Sequence, residues 1–293
     1  MTGIRISEMK ILVTGIVKDI SRTIDSDILQ IENALSDFKE VLWFLVESDS
    51  GDSSVKKLEI LSKSRKNFRF ASLGAIQVMD KPRTIGMASA RNMCLEEVKS
   101  YVPYKEVEYV AVADFNRLNS KISVEGIRSC FANPIWDACF ANQSGRYYDV
   151  WALRHPLWSP NDCWQQYSFY RKFFRIPELA LYASIRNRMI HIPKKSDWIE
   201  VESAFGGFGI YKRETYVLGH YAGINSESLP ICEHVPFHEK LRKAGKRLFI
   251  NPKLINTHST DHSQRMNLFR TFTRIMNYPF KISRQLFVKS QQK

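Results

Sequence analysis

The chain has 293 residues, 44% hydrophobic and 25% charged, which excludes a peptide-sized module and a disordered or fibrous protein and suits one large α/β domain or one and a half smaller ones. Forty-three Lys and Arg against thirty Asp and Glu leave a net charge of +13, which favours a polyanionic partner: nucleic acid, an anionic membrane surface or phosphorylated small molecules. Five cysteines (Cys94, Cys130, Cys139, Cys163, Cys232) form no CxxC pair and speak for a reducing compartment rather than a zinc ribbon or disulfide framework.

Along the chain, no run of eighteen apolar residues offers a bilayer span, and Glu8 and Lys10 interrupt the N-terminal apolar stretch before it resembles a signal peptide. The expectation is a cytoplasmic protein, one that can rest on the inner face of a membrane. Residues 10–17 (KILVTGIV) read as a strand. Residues 21–38 place Ile24, Ile28, Ile31, Leu35 and Phe38 at helical spacing, with Ser21 as the N-cap. VLWFLVES from Val41 is continuously apolar, as a strand buried on both faces must be. A helix from Asp52, a strand from Asn67, a helix from Gly86 and a buried strand EYVAVADFN ending at Asn116 follow. This alternation predicts a mostly parallel sheet with helices on both faces, which binds ligands at the carboxyl ends of its strands.

The second half is less regular. Residues 136–154 read as two strands about a turn at Ser144-Gly145, and 161–190 are aromatic, basic and partly helical. GGFGIYKRE reads as a strand, 233–244 as a helix and RLFINPKLI as a strand. From Gln264 onward there are seven Lys or Arg, no acid and five aromatics, a composition suited either to an anionic membrane surface or to a packed helix.

Five clusters can carry chemistry. Glu47 and Ser48, at the exit of the second strand, can accept hydrogen bonds from a nucleobase or ribose, or simply cap a turn. Arg83, Arg91 and Asn92 lie on the third helix. Arg91 falls at the edge of the face formed by Met87, Ala90, Cys94 and Val98, where a guanidinium needs an anion: a diphosphate or a carboxylate of the chain itself. Asp114 and Asn116, two residues apart on extended backbone, project to one side and can share a hard divalent cation with two phosphates, or end the strand in an ordinary turn. Gly206 and Gly207 mark backbone that passes close to a ligand or forms a bulge. Pro236 fixes Glu233 and His234 at a helix N-terminus, where the dipole keeps a carboxylate ionised, as a base or as a plain dipole partner. His258 is either a metal ligand or an exposed imidazole.

Taken in order, ESDSGDSS, RTIGMASARN, VADFN and YYDVWALR resemble the fungal capsule-associated α-1,3-mannosyltransferase family and its bacterial relatives, and CEHVPFHEKLRKAGKRLFINP is similar to the acid-rich helix and strand that close many sites of the GT-A glycosyltransferase fold. The resemblance runs from about Lys10 to His258. It implies a GT-A, Rossmann-like domain over 1–262, with a nucleotide-binding half (10–120), an acceptor-binding half (121–262) and a basic extension (263–293). It further implies transfer of a hexose from a GDP- or UDP-sugar to a glycan or lipid-linked acceptor in surface polysaccharide synthesis, with Mn²⁺ or Mg²⁺. Glu47, Ser48, Arg83, Arg91, Asn92, Asp114, Gly206 and Gly207 would face the donor. Asp114, Asn116 and His258 would hold the metal, Asp149, Trp151 and Arg154 would meet the acceptor, and Glu233 or His234 would act in catalysis. This chain departs from the family at Asn116, which replaces a second Asp, and at His234, where many relatives keep Asp. Three other readings compete. A nucleic-acid-binding protein fits the charge, but no recognised motif is present. A sugar nucleotidyltransferase needs a Gly-rich, basic loop that residues 14–20 (TGIVKDI) do not provide. A catalytically dead relative would bind donor without turnover.

Overall fold

The β-branched run at the N-terminus forms β1 (Lys10–Val17), and each apolar run after it becomes a neighbouring strand in the computed structural model, which describes residues 5–76, 81–133 and 135–258. The basic extension lies outside the described residues. In chain order follow α1 (Ile24–Ala34), β2 (Glu40–Glu47), α2 (Ser54–Ser64), β3 (Phe68–Ser72), α3 (Arg83–Ser100), β4 (Tyr109–Ala113), α4 (Val124–Phe131) and β5 (Ala138–Gln143). The second half adds α5 (Cys163–Tyr170), α6 (Pro177–Ser184), β6 (Ile199–Val201), β7 (Phe208–Lys212), α7 (Arg213–Tyr216), α8 (His234–Lys243) and β8 (Leu248–Thr257).

These strands make one sheet in the order β3-β2-β1-β4-β7-β5-β8-β6. The β3-β2, β2-β1, β1-β4 and β5-β8 pairings are parallel, whereas β7 runs antiparallel to both its neighbours and β6 antiparallel to β8. The fold is therefore α/β with a mostly parallel central sheet. Side-chain alternation along the strands feeds two cores. Ile11, Val13, Trp43 and Leu45 pack with Ile24, Ile28 and Ile31 of α1, Leu58 of α2 and Ile127 of α4. Leu12, Leu42, Phe44 and Val46 pack on the other face with Cys94, Leu95 and Val98 of α3 and Phe237 and Leu241 of α8. Helices cover both faces, as expected of strands apolar all round.

Two local expectations give way. The first helix starts at Ile24 after Thr23, and the Ser21 amide instead donates to Asp52 Oδ2 at 3.1 Å. Residues 136–154 supply one strand, not a hairpin: β5 already has β7 on one edge and β8 on the other, so 146–154 has no free edge to join. Residues 10–120 and 121–258 contribute strands to this single sheet, with β7 inserted between β4 and β5.

The buried His238 imidazole ties α8 to this sheet, bonding Ser203 Oγ at 2.9 Å and Tyr211 Oη at 2.8 Å. Burial, with Arg91 nearby, pushes its pKa down from 6.5 to about 3. Between those values the unfolded chain binds a proton that the folded chain refuses. The stability from keeping His238 neutral is complete above pH 6.5 and is lost as pH falls toward 3, amounting to on the order of a few kcal/mol. Urea midpoints should fall across this window, and His238→Gln should make the slope shallower, leaving the shares of His234 and of carboxylates such as Asp149 that titrate in the same range.

Candidate active site

Arg91 is the centre of the site. It lies within the buried stripe of α3 rather than at its edge, with its side chain 3% exposed. Nε donates to Glu233 Oε1 at 2.7 Å and Nη2 to Asp114 Oδ1 at 3.1 Å. The guanidinium lies 5.2 Å from the Phe205 ring centroid and 6.0 Å from that of Tyr221. The anion that a guanidinium in this position needs is thus supplied by the chain's own carboxylates. Glu233 precedes α8, is 3% exposed in its side chain and spends Oε1 on Arg91. Asp114 keeps its side chain 29% exposed. Burial raises the Asp114 carboxyl, Arg91 pulls it down, Glu233 raises it further, and Arg83 also pulls it down.

A cavity of about 700 Å³ lies at the carboxyl ends of β1, β2 and β3 and the first turns of α3. Lys18, Ser48, Asp49, Lys81 and Arg83 contribute polar walls, and Ile76, Met87 and Met93 contribute apolar ones. Strand order reverses here, since β1 lies between β2 and β4, and open α/β sheets bind ligands at such a point. Ser48 and Arg83, two of the residues expected to face a donor, line this cavity, as do Lys18, Lys81 and Met93, which the sequence did not single out. Met87 lines the cavity instead of the core. Glu47 does not reach it: its carboxylate accepts from the Ser50 amide at 3.0 Å and from the Ser72 hydroxyl, which is the turn-capping alternative. Asn92 is also spent, its amide donating to Tyr221 O and accepting from Tyr221 N, both at 2.9 Å.

Past β4 the chain turns sharply, with Asn116 and Arg117 at φ of 63° and 64°. Asp27, a carboxylate on the apolar face of α1, holds this turn by accepting from both amides at 3.0 Å. The turn swings the Asn116 side chain away from extended geometry, and its Oδ1 accepts from Thr23 Oγ1 at 3.2 Å. His258 bonds Ser144 Oγ through Nδ1 at 2.9 Å. Among the described residues no three His, Cys, Asp or Glu side chains converge as a metal site. The ligand atoms therefore do not gather as the strand spacing implied, and of the three residues expected at the metal only Asp114 brings a carboxylate.

Gly206 and Gly207, at φ of 71° and 86°, bind β7 to the rim. Gly207 O accepts from the Asp114 amide at 2.9 Å, and a Cβ on Gly207 would meet Tyr148 Oη at 2.7 Å. The Gly206 amide donates to Asp149 Oδ2 at 2.9 Å. Burial raises the Asp149 carboxyl to about 6, against the Gly206 N–H bond that lowers it, with the Asp114 and Glu233 carboxylates adding to the rise. Asp149 thus belongs with Asp114 and Glu233. Its expected companions do not: Trp151 Nε1 and Arg154 Nη2 both bind Asp162 Oδ2, at 3.0 and 2.9 Å, bracing the N-cap of α5. His234 is buried, stacked on Phe205 with centroids 4.0 Å apart, and neither ring nitrogen has a hydrogen-bond partner among the described residues, although Nε2 lies 3.8 Å from Glu233 Oε1. Burial, then Arg91 and His238, drives its pKa well below 6.5, so the ring is neutral.

No family model and no curated protein matches the sequence. Solved structures do match. A mannosyltransferase from Pyrobaculum calidifontis in complex with GDP-Man and Mn²⁺ is 11% identical over 92% of this chain and 65% of its own, with a TM-score of 0.46. GalNAc-T7 with UDP, GalNAc and Mn²⁺ is 13% identical over 86% and 44%, at 0.47. TarS from S. aureus is 14% identical over 92% and 66%, at 0.45. This chain spans less than two thirds of the length of each.

Removing Arg91 leaves Glu233 buried without a counter-charge. Arg91→Met should cost about 3–5 kcal/mol in urea denaturation, while Arg91→Met with Glu233→Leu should recover most of the loss because neither charge then remains buried.

Proposed function

We propose that the protein is a nucleotide-sugar-dependent glycosyltransferase of the GT-A type. The observation that carries this reading is the cavity at the carboxyl ends of β1, β2 and β3 with its basic wall (Lys18, Lys81, Arg83), of which Arg83 is close enough to the Asp114 carboxylate at the β4 exit to act on its charge. The dimensions and the mix of methionine, isoleucine and cationic walls suit a nucleoside diphosphate. Two structures similar in fold are in complex with GDP-Man and Mn²⁺ and with UDP, GalNAc and Mn²⁺.

Departure of the diphosphate leaves positive character on the anomeric carbon and negative charge on the phosphate oxygens. Lys18, Lys81 and Arg83 stand where they can neutralise that charge. Asp114 would hold Mn²⁺ or Mg²⁺ together with donor phosphate oxygens, an arrangement suited to one carboxylate and no third protein ligand, and such an ion would add Lewis-acid neutralisation of the leaving group. Glu233 is committed to Arg91 and His234 is enclosed and neutral, so both act through position. Asp149 fits the base: a partly exposed carboxylate anchored on the Gly206 amide, with affinity for a proton raised by burial and by two neighbouring carboxylates. The acceptor is a glycan or lipid-linked sugar, as the resemblance to capsule mannosyltransferases implies.

Four measurements test this. GDP- and UDP-sugars screened with and without Mn²⁺ should include one that raises the melting temperature, and an absence of any shift would remove the donor site. With that donor, Asp149→Asn should lower kcat by on the order of 10²–10⁴-fold. The wild-type rate should fall as pH drops below about 6, where Asp149 protonates, and the variant should lack that limb. Asp114→Asn should weaken the Mn²⁺-dependent part of the thermal shift and spare the metal-independent part.

A further inference from the structure

The corner between α5 and α6 is built unlike the rest of the surface. Residues 171–175, the RKFFR that links the two helices, are all exposed. Phe173 is 66% exposed and Phe169, in the last turn of α5, 54%. The rings associate with each other instead of entering the core: Phe169 and Phe173 have centroids 5.0 Å apart, and Tyr170 and Phe174 5.3 Å. From Cys163 to Pro177 the sequence carries Arg171, Lys172 and Arg175 and no acid. Leaving such an aromatic cluster in water is unfavourable, and a contiguous patch of this kind marks a contact surface.

We propose that this corner docks on an anionic lipid bilayer, with the phenylalanines in the headgroup–acyl boundary and Arg171, Lys172 and Arg175 at the lipid phosphates. Charge decides the occupant. A bilayer interface accepts aromatic rings and rewards each basic side chain beside them. A second copy of the chain would oppose cation to cation across the same contact. A neutral glycan is gripped through hydroxyl-binding amides and carboxylates, and the run 171–176 has none. Single-stranded nucleic acid needs ring faces open for stacking, whereas these rings lie against each other. The inference does not depend on the transfer reaction, because contact at this corner needs no donor. The corner is nonetheless braced to the site: Asp162, which caps α5, also holds Trp151 and Arg154, and Asp149 begins that stretch.

All five native cysteines are buried, so a cysteine introduced by Phe173→Cys can be labelled selectively with the polarity-sensitive fluorophore NBD in the full chain. Vesicles of phosphatidylcholine mixed with phosphatidylglycerol should brighten and blue-shift the label, and vesicles of phosphatidylcholine alone should not. Reversing charge with R171E and K172E should lower co-sedimentation with the mixed vesicles by on the order of tenfold at an unchanged melting temperature. A label that stays in water while the chain sediments would place the contact elsewhere, on the basic extension for example, and overturn the proposal. So would an equal response to neutral vesicles, or a shift produced instead by raising protein concentration or adding single-stranded RNA.

Discussion

One buried guanidinium organises the rim of this sheet. Arg91 is planar, permanently charged and enclosed, so its surroundings must supply anions in fixed directions. Asp114 arrives from the end of β4 and Glu233 from the start of α8, and both are held at hydrogen-bonding distance of the same side chain. The two halves of the chain are thereby registered at one point, and the phenyl face of Phe205 closes over it. The arrangement divides labour among four acids. Glu233 neutralises Arg91, Asp27 holds the turn after β4, Asp114 is paired yet presented to the rim, and Asp149 is left with a high proton affinity beside them.

Much of the fold could be read from the sequence because its first half is dominated by apolar runs whose lengths and periods differ between strand and helix. VLWFLVES and EYVAVAD are too continuously apolar to be anything but strands buried on both faces, and helices on both faces follow. The failure at residues 146–154 has a topological cause. Tyr147, Val150 and Leu153 are apolar and buried, but pairing is decided by which sheet edges remain open, and that depends on β7 and β8 far downstream. The three-residue β6 is too short to carry a period.

At the site, sequence reasoning found the need but not its partner. Arg91's place on a helix face required an anion, yet Glu233 lies 142 residues away and Asp114 lies 23. Backbone conformation had the same effect at Asn116: an extended DxN would aim both side chains together, but left-handed φ values at 116 and 117 break that alignment. The signal for that turn was available in Asp27, a carboxylate on the apolar stripe of α1, where only a definite set of donors justifies its burial.

The late arrival of β7 also bears on how the chain is made. β4 ends at Ala113, and the strand that satisfies its outer edge begins at Phe208. On the ribosome, a row of bare amides and carbonyls along an apolar strand must wait while the intervening stretch is synthesised. Nascent chains of this protein therefore pass through a stage in which β4 has one open edge and β5, whose neighbours β7 and β8 both come later, has two, and chaperone attendance is most needed there.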